Sequence, residues 1–308
     1  MVYYLILMNL NKQIAIIILN WNTYEYTLKC ILSLKKNDFQ NFQIIVVDNG
    51  SNDNSITLLK EKFDDIKYII NSNNLGFSGG NNQGIKYALE NKFEYLMLLN
   101  NDTEVNKNFF PPLLNSLQSN HLLGAVQPLI MNFNNKEKVW NAGGYLNNFL
   151  GVPYTIKKLN DKNQQIDWIT GCCILLKANV IKKTGLIDEN FFAYYEDVDW
   201  SLRIRSIGYS LGLQSNSIIY HHGSESSKKN NIIGEGSLSP YVHYLNIRNH
   251  IYLVKKHSDK FNFIGVLFYQ FLKILFYSIY FILRLRFSKL KMVYRGLNDG
   301  INNKQIKK

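Results

Sequence analysis

Three groups of side chains have types and spacings suited to chemistry. The stretch YYEDVDW, residues 194–200, crowds Glu196, Asp197 and Asp199 together, with Arg203 and Arg205 following on an amphipathic pattern. Carboxylates this close cannot all stay ionised unless a cation, an arginine or a reacting proton compensates, which is how one of them becomes a general base. Asp199 stands at helical ion-pair spacing from Arg203, where it also favours the helix dipole, and is read as structural. Glu196 and Asp197, just ahead of the helix, are the candidate bases. A second stretch, LLNNDT, residues 98–103, ends a hydrophobic run on an acid, and Asn100 and Asp102 share one side of an extended chain. Hard divalent cations take oxygen ligands, often one or two carboxylates plus the substrate's phosphates, and Asp102 offers one such carboxylate. Finally, His221 closes an apolar run, where a neutral imidazole can add a metal ligand, while His222 is expected to be solvated.

These residues need elements to hold them. QIAIIILN, residues 13–20, is an unbroken apolar run of the kind required by a strand buried on both faces. A helix is expected from about Tyr24, a strand over residues 44–47 ending at Asp48, and a short strand at KYIINS. A Gly-rich loop, Gly76 to Gly84, then leads into another helix, and FEYLMLLNND closes the series on a strand ending in an acid. Alternating strands and helices predict an α/β fold with a mostly parallel central sheet. In such sheets ligands sit beyond the carboxyl ends of the strands, where Asn20, Asp48 and Asp102 collect. The glycines permit close backbone approach to a diphosphate but come without the Walker lysine or a dinucleotide fingerprint. No H-E-x-x-H or kinase set is present.

Composition narrows the class. The chain has 308 residues, 46% hydrophobic and 14% aromatic, enough to build a substantial core, and its 19% charge and 5 prolines do not suit a disordered or fibrous protein. Cys30, Cys172 and Cys173 form neither a disulfide framework nor a zinc spacing, so a reducing compartment is expected. The net charge of +12 is concentrated at one end: residues 255–308 hold twelve Lys or Arg against Asp259 and Asp299, leaving the rest nearly neutral. That distribution argues against a nucleic-acid-binding module and suits an anionic membrane surface. The start, MVYYLILMNLNK, is read as an extension before the first strand, with no export signal.

Taken in order, AIIILNWN, IIVVDNGSNDNS, NNLGFSGGNNQGI, LLNNDTEV, WITGCCILLK, GLIDENFFAYYEDVDWSLRIRSIGY, IIYHHGSESS and YLNIRNHIYLVKKH resemble a family 2 glycosyltransferase of the GT-A fold. The resemblance is to the bacterial rhamnosyltransferase-like branch and covers residues 13–257, taken as the catalytic domain. It implies a nucleotide-sugar donor, UDP- or dTDP-linked with dTDP-rhamnose as one possibility, and a lipid-linked glycan acceptor in surface polysaccharide synthesis. A protein or a free glycan is the alternative acceptor. Asn22, Asp48 and Asn49 match positions that hold base and ribose, with Asn49 standing where many members have a second Asp, and Gly79, Asn100 and Asn101 complete the donor side. Asn100 and Asp102 match an N-x-D form of the metal motif, implying Mg²⁺ or Mn²⁺ held by Asp102 with His221. Asp197 matches the base of an inverting displacement, with Glu196 in reserve, and Trp168, Gly171 and Cys172 match the acceptor side.

Residues 258–308 are read as an apolar helix and basic tail. The run over residues 263–283 is long enough to span a bilayer at about 1.5 Å per residue. Gln270, Lys273, Tyr277 and Arg284 form one polar stripe along it, and a single span would export the following Arg and Lys cluster against the positive-inside tendency. An in-plane or re-entrant helix on the inner face of the cell membrane is therefore expected, with a true span or a helix packed on the catalytic domain as alternatives. The expected location is cytoplasmic and peripheral.

Overall fold

The computed structural model describes residues 13–159, 166–223 and 238–306. The expectation for residues 1–12 lies outside this range, as do the residues that follow Gly223 in the stretch around His221. The chain runs β1 (Ile14–Asn20), α1 (Tyr24–Lys35), β2 (Phe42–Asp48), α2 (Ser55–Lys62), β3 (Lys67–Ile70), α3 (Gly76–Glu90) and β4 (Tyr95–Asn100). There follow β5 (Thr103–Val105), α4 (Phe110–Ser119), β6 (Leu123–Asn132), β7 (Val139–Asn141), the hairpin β8 (Gly144–Asn147) and β9 (Val152–Thr155), and β10 (Cys173–Lys177). The rest comprises α5 (Ala178–Thr184), α6 (Glu196–Ser206), β11 (Ser210–His221), α7 (Pro240–Lys256), α8 (Phe263–Leu283) and α9 (Phe287–Ile301).

The apolar run of β1 is unbroken because both its faces are covered. Ile14, Ile16 and Ile18 pack with Cys30, Ile31 and Leu34 of α1, while Ala15 and Ile17 pack with Ile85 and Ala88 of α3. Each fully buried isoleucine contributes about 1.5–3 kcal/mol of burial, so a one-residue slip of β1 would be costly. The strand order is β3-β2-β1-β4-β10-β6-β11-β5, with β7 paired to β6. β3, β2, β1 and β4 are mutually parallel, and their register sets Asn20 opposite Asp48 and Leu19 opposite Asn100. The polar strand ends therefore lie on one rim.

Beyond β4 the sheet is more mixed than the sequence suggested. β10 is antiparallel to β4, with Cys173 opposite Leu99, because it enters from that same rim without a crossover helix. Residues 168–172, which precede it, are thus delivered to the rim. β11 runs antiparallel to β5 and sets His221 opposite Thr103, beside Asp102.

Two further expectations change. The Gly-rich stretch is helix from Gly76 onward, and its glycines serve packing: a Cβ on Gly80 would meet Leu19 Cδ1 at 2.5 Å, and one on Gly84 would meet Ile17 Cγ2 at 2.5 Å. The boundary expected at residue 258 is not a structural division either. α9 lies against α7, where a Cβ on Gly296 would sit 2.6 Å from the Tyr244 carbonyl oxygen. Tyr244 donates to Asp299 at 3.1 Å, and Arg248 and Lys255 donate to the carbonyls of Lys304 and Ile301 at 2.8 and 2.7 Å.

Candidate active site

The turn from β4 to β5 is closed by the Thr103 hydroxyl, which donates to the Asn100 carbonyl at 2.6 Å and leaves Asp102 at the tip. Asp102 Oδ1 lies 3.2 Å from His221 Nε2, and both side chains are buried. Burial works to raise the Asp102 carboxyl, but the contact with His221 outweighs it and holds the group below its ordinary range. Trp140 meets the His221 ring edge-on at 4.3 Å. Neither ring nitrogen of His221 has an aligned hydrogen-bond partner among the described residues. A buried carboxylate beside an unsatisfied imidazole fits a divalent cation, and the residues present suit a partial protein shell. No third His, Cys, Asp or Glu joins the pair among the described residues, so water and diphosphate oxygens would complete the coordination. His222 departs from the expected solvated position. It stacks on Phe133 at 3.6 Å and its Nε2 lies 3.4 Å from Glu104, because the strand end turns it under an aromatic lid.

On the donor rim, Asp48 is buried and satisfied. It accepts from Asn20 Nδ2 at 3.1 Å, from the Ser51 hydroxyl at 2.6 Å and from the Ser51 amide at 3.1 Å. Asn22, at φ 54°, accepts from the Asn52 amide at 2.9 Å, and its own amide donates to the Ser51 hydroxyl at 2.9 Å. Asn49 spends its amide on the loop over residues 71–76. It donates to Asn74 and to the Gly76 carbonyl, and accepts from Asn71 and the Leu75 amide. Asn101 points back to α1, donating to the Thr23 and Thr27 hydroxyls at 2.6 and 2.8 Å. Gly79 lies inside α3, where a Cβ would meet Leu75 at 2.9 Å. Asn49, Asn101 and Gly79 therefore shape the rim through packing and internal hydrogen bonds.

The opposite wall carries the acids of α6. Asp197 accepts from the Gly171 amide at 3.1 Å and from the Val198 amide at 2.9 Å. Burial raises its carboxyl, while these amides and the Thr170 hydroxyl offset part of the rise. Glu196 is buried, its Oε2 has no partner among the described residues, and burial followed by the Asp197 charge pushes it well above its ordinary range. Both carboxyls are raised by burial, and of the two Asp197 is the one that the Gly171 and Val198 amides hold. Asp199 faces away. It pairs with Arg203 at 2.8 Å, as its spacing suggested, and also with Lys256 and His257 at 2.8 Å each.

Residues 168–172 join the two walls. The Gly171 amide holds Asp197, while the next carbonyl, that of Cys172, accepts from the Asn100 amide at 2.8 Å. Burial pushes the Cys172 thiol up, and the charges of both Asp102 and Asp197 add to the effect. Trp168 is buried beside Gly144, with its Nε1 unpaired among the described residues.

The sequence reading missed the clamp on the loop that leads into Glu196 and Asp197. Phe192, Tyr194 and Tyr195 have φ of 61°, 70° and 70°, a left-handed run that bulky residues adopt only under constraint. Asn249 of α7 is fully buried and donates through Nδ2 to the carbonyls of Phe191, Ala193 and Tyr194 at 2.7, 2.8 and 3.0 Å. Arg248 adds a bond to the Asn190 carbonyl. The signal available in the sequence was the Arg-Asn-His run set between Ile247 and Ile251.

Comparison with known proteins fits this geometry. The family described as glycosyl transferase family 2 matches residues 15–185, more than half of the chain. The chain belongs to glycosyl transferase family 2. Within that family it is 24% identical over 254 residues to the dTDP-rhamnosyl transferase RfbF of Shigella flexneri, covering 80% of this chain and 81% of that one. It is 30% identical over 175 residues to the low-salt glycan biosynthesis hexosyltransferase Agl10 of Haloferax volcanii, covering 55% of each chain. Among solved structures, GalNAc-T7 with UDP, GalNAc and Mn²⁺ superimposes with a TM-score of 0.61 at 16% identity, covering 79% of this chain and 48% of that one. Staphylococcus aureus TarS 1–349 with UDP-GlcNAc gives 0.59 at 14% identity, covering 94% and 81%. The fold of this family 2 chain is therefore GT-A. It spans about half the length of the Haloferax relative and of the GalNAc-T7 chain. In this family 2 chain Asp197 stands across residues 168–172 from the buried Asp102–His221 pair.

Proposed function

We propose that the protein transfers a sugar, with inversion, from a UDP- or dTDP-sugar to a hydroxyl of a lipid-linked oligosaccharide in bacterial surface polysaccharide synthesis, with dTDP-rhamnose among the candidate donors. The observation that carries the reading is the facing of Asp197 and the Asp102–His221 pair across residues 168–172. Asp197 accepts the proton of the acceptor hydroxyl as that oxygen bonds to the anomeric carbon. The bond from this carbon to the diphosphate breaks on the opposite face, and its electron pair leaves with the diphosphate oxygen. The Gly171 and Val198 amides orient Asp197, while Glu196 beside it is buried and its carboxyl is raised by burial and by the Asp197 charge. Asp102 and His221 would hold Mg²⁺ or Mn²⁺, which when bound supplies Lewis-acid neutralisation of the departing diphosphate. Asp48 and Asn22, tied through Ser51, shape the rim on which the nucleoside would lie.

The same reading places the protein on the inner face of the cell membrane. Phe263, Phe271, Phe276 and Leu283 of α8 are 71%, 65%, 63% and 77% exposed, whereas Gln270 of the polar stripe is buried against the body. Exposed Arg284, Lys291 and Arg295 flank this face and suit anionic lipid. Binding and hydrolysis of UDP-, dTDP- and GDP-sugars, with Mn²⁺ or Mg²⁺ and with EDTA, test the reaction in the parent and in Asp102→Ala. Metal-dependent use of one donor, lost in the variant, is the expected result; no donor engaged under any metal condition would overturn it. Flotation with vesicles tests the location, and a protein that stays in the soluble fraction with every lipid would overturn that part.

A further inference from the structure

Among the described residues, the inner side of α8 carries an amide oxygen without a hydrogen-bond partner and an ammonium without an ion-pair partner. Gln270 approaches His250 Nδ1 through Nε2, while His250 Nε2 lies 2.7 Å from the Gly151 carbonyl. The carbonyl can only accept, so His250 carries its proton on Nε2 and Gln270 donates to Nδ1. That leaves Gln270 Oε1 buried with no partner among the described residues. One turn on, the half-buried Lys273 sets its ammonium 5.6 Å from the centre of the Tyr269 ring. No Asp or Glu lies within ion-pair distance of it among the described residues, and burial alone pulls it down to about 8. An enclosed ammonium without a counter-ion is unfavourable unless an anion is supplied from outside.

The surroundings indicate which anion. Tyr195 packs on the His250 ring at 5.6 Å and immediately precedes Glu196 and Asp197. Its hydroxyl lies in the field of Tyr269 and Tyr277 of α8 and of Asp197. Followed by contacts, the exposed apolar face of α8 leads to Lys273 and Gln270 on its inner side, Gln270 to His250, His250 to Tyr195, and Tyr195 along the chain to Glu196 and Asp197. A lipid-linked sugar presents its parts in that order: chain, phosphate, sugar hydroxyl.

We propose that Lys273 and Gln270 form a subsite for the phosphate of a membrane-held acceptor, the ammonium pairing with a phosphoryl oxygen and Gln270 Oε1 accepting from a hydroxyl of the adjoining sugar. The subsite rests on the reading of a lipid-linked acceptor given above. It makes α8 part of substrate recognition, with the apolar face holding the lipid and the polar stripe holding its headgroup.

The test uses the full chain and three kinds of vesicle: phosphatidylcholine alone, phosphatidylcholine with a polyprenyl diphosphate, and phosphatidylcholine with phosphatidylglycerol. The parent should bind the polyprenyl diphosphate vesicles most tightly. Lys273→Met should weaken that binding about ten- to a hundredfold, the worth of a charge-assisted contact, with Lys273→Arg recovering part of it and phosphatidylglycerol binding little changed. Equal binding of the diphosphate vesicles by parent and Lys273→Met would overturn the proposal. So would an equal loss on phosphatidylglycerol, which would make Lys273 a general headgroup contact. Should the variant fail to fold, amine acylation of the parent decides: geranyl diphosphate should slow labelling of Lys273, and no protection would overturn the subsite. Donor binding is scored separately on the same preparation, so a protein that binds a donor but shows no Lys273 effect refutes the subsite alone, and one that binds no donor refutes the reaction.

Discussion

Replacing Asn249 by alanine should cost this protein more activity than stability. The Asn249 amide has two N–H groups shared among three carbonyls, so its hydrogen bonds contribute about 2 kcal/mol net. The loop they hold contains three non-glycine residues at positive φ, each storing about 1–3 kcal/mol, and part of that strain is released when the clamp goes. The two effects oppose each other, leaving a net destabilisation of about 1–2 kcal/mol. Activity has no such compensation. Asp197 begins two residues after the strained run, and a shift of about 1 Å at a reacting group can cost about a hundredfold in rate. Urea denaturation and transfer kinetics at saturating donor measure the two quantities. Asn249→Asp should be worse than alanine on both, because its carboxylate would face three carbonyl oxygens with nothing to donate. A kcat within about twofold of the parent, at the stability loss stated, would refute the idea that this clamp aims the base.

Other outcomes follow from the same geometry. Asp197→Asn should lose about a thousandfold in kcat and Glu196→Gln far less; because burial raises the Asp197 carboxyl, parent activity should fall as pH drops through a value above the ordinary 3.8, as a pH–rate profile would show. Asp199 is buried, and despite that burial His257, Arg203 and Lys256 hold it down at about 2, against 3.8 for the free side chain. Its folded value is the lower, so its contribution, about 2 kcal/mol, is present above pH 3.8 and lost as pH falls through about 2. Asp199→Asn should therefore lower stability at neutral pH and converge with the parent in acid denaturation. Gly144→Ala would set a Cβ 2.1 Å from Trp168 Nε1 and should cost about 1–3 kcal/mol, with a shift in Trp fluorescence; an unchanged denaturation midpoint would contradict the packing described.

Much of the architecture could be read locally. The β1 run, the acids ending β2 and the β4–β5 turn, and the helix starting at Tyr24 depend on period, apolar content and turn residues within a few positions of each other. The Asp199–Arg203 pair was legible for the same reason, since a helix fixes the geometry of that spacing. The Gly-rich stretch misled because glycine serves loops and close helix packing equally well, and only the neighbouring Leu19 and Ile17 show which is needed. His222 misled because burial depends on Phe133, a residue far away in the chain.

The sequence alone therefore determined the elements and the short motifs at their ends, because hydrogen bonding and burial within one strand or helix are set by adjacent residues. The tertiary structure decided which of those motifs meet. It placed β10 antiparallel to β4, so that residues 168–172 connect Asp197 to Asn100, and it gave Asp197 the amide of Gly171 while leaving Glu196 with no donor to Oε2. It bent the chain before the base into a left-handed run held by an asparagine from a later helix. It also turned Gln270 of α8 inward and left Phe263, Phe271, Phe276 and Leu283 exposed. Each of these depends on the electrostatics and packing of groups brought together from distant parts of the chain, a relation that spacing along the sequence does not encode.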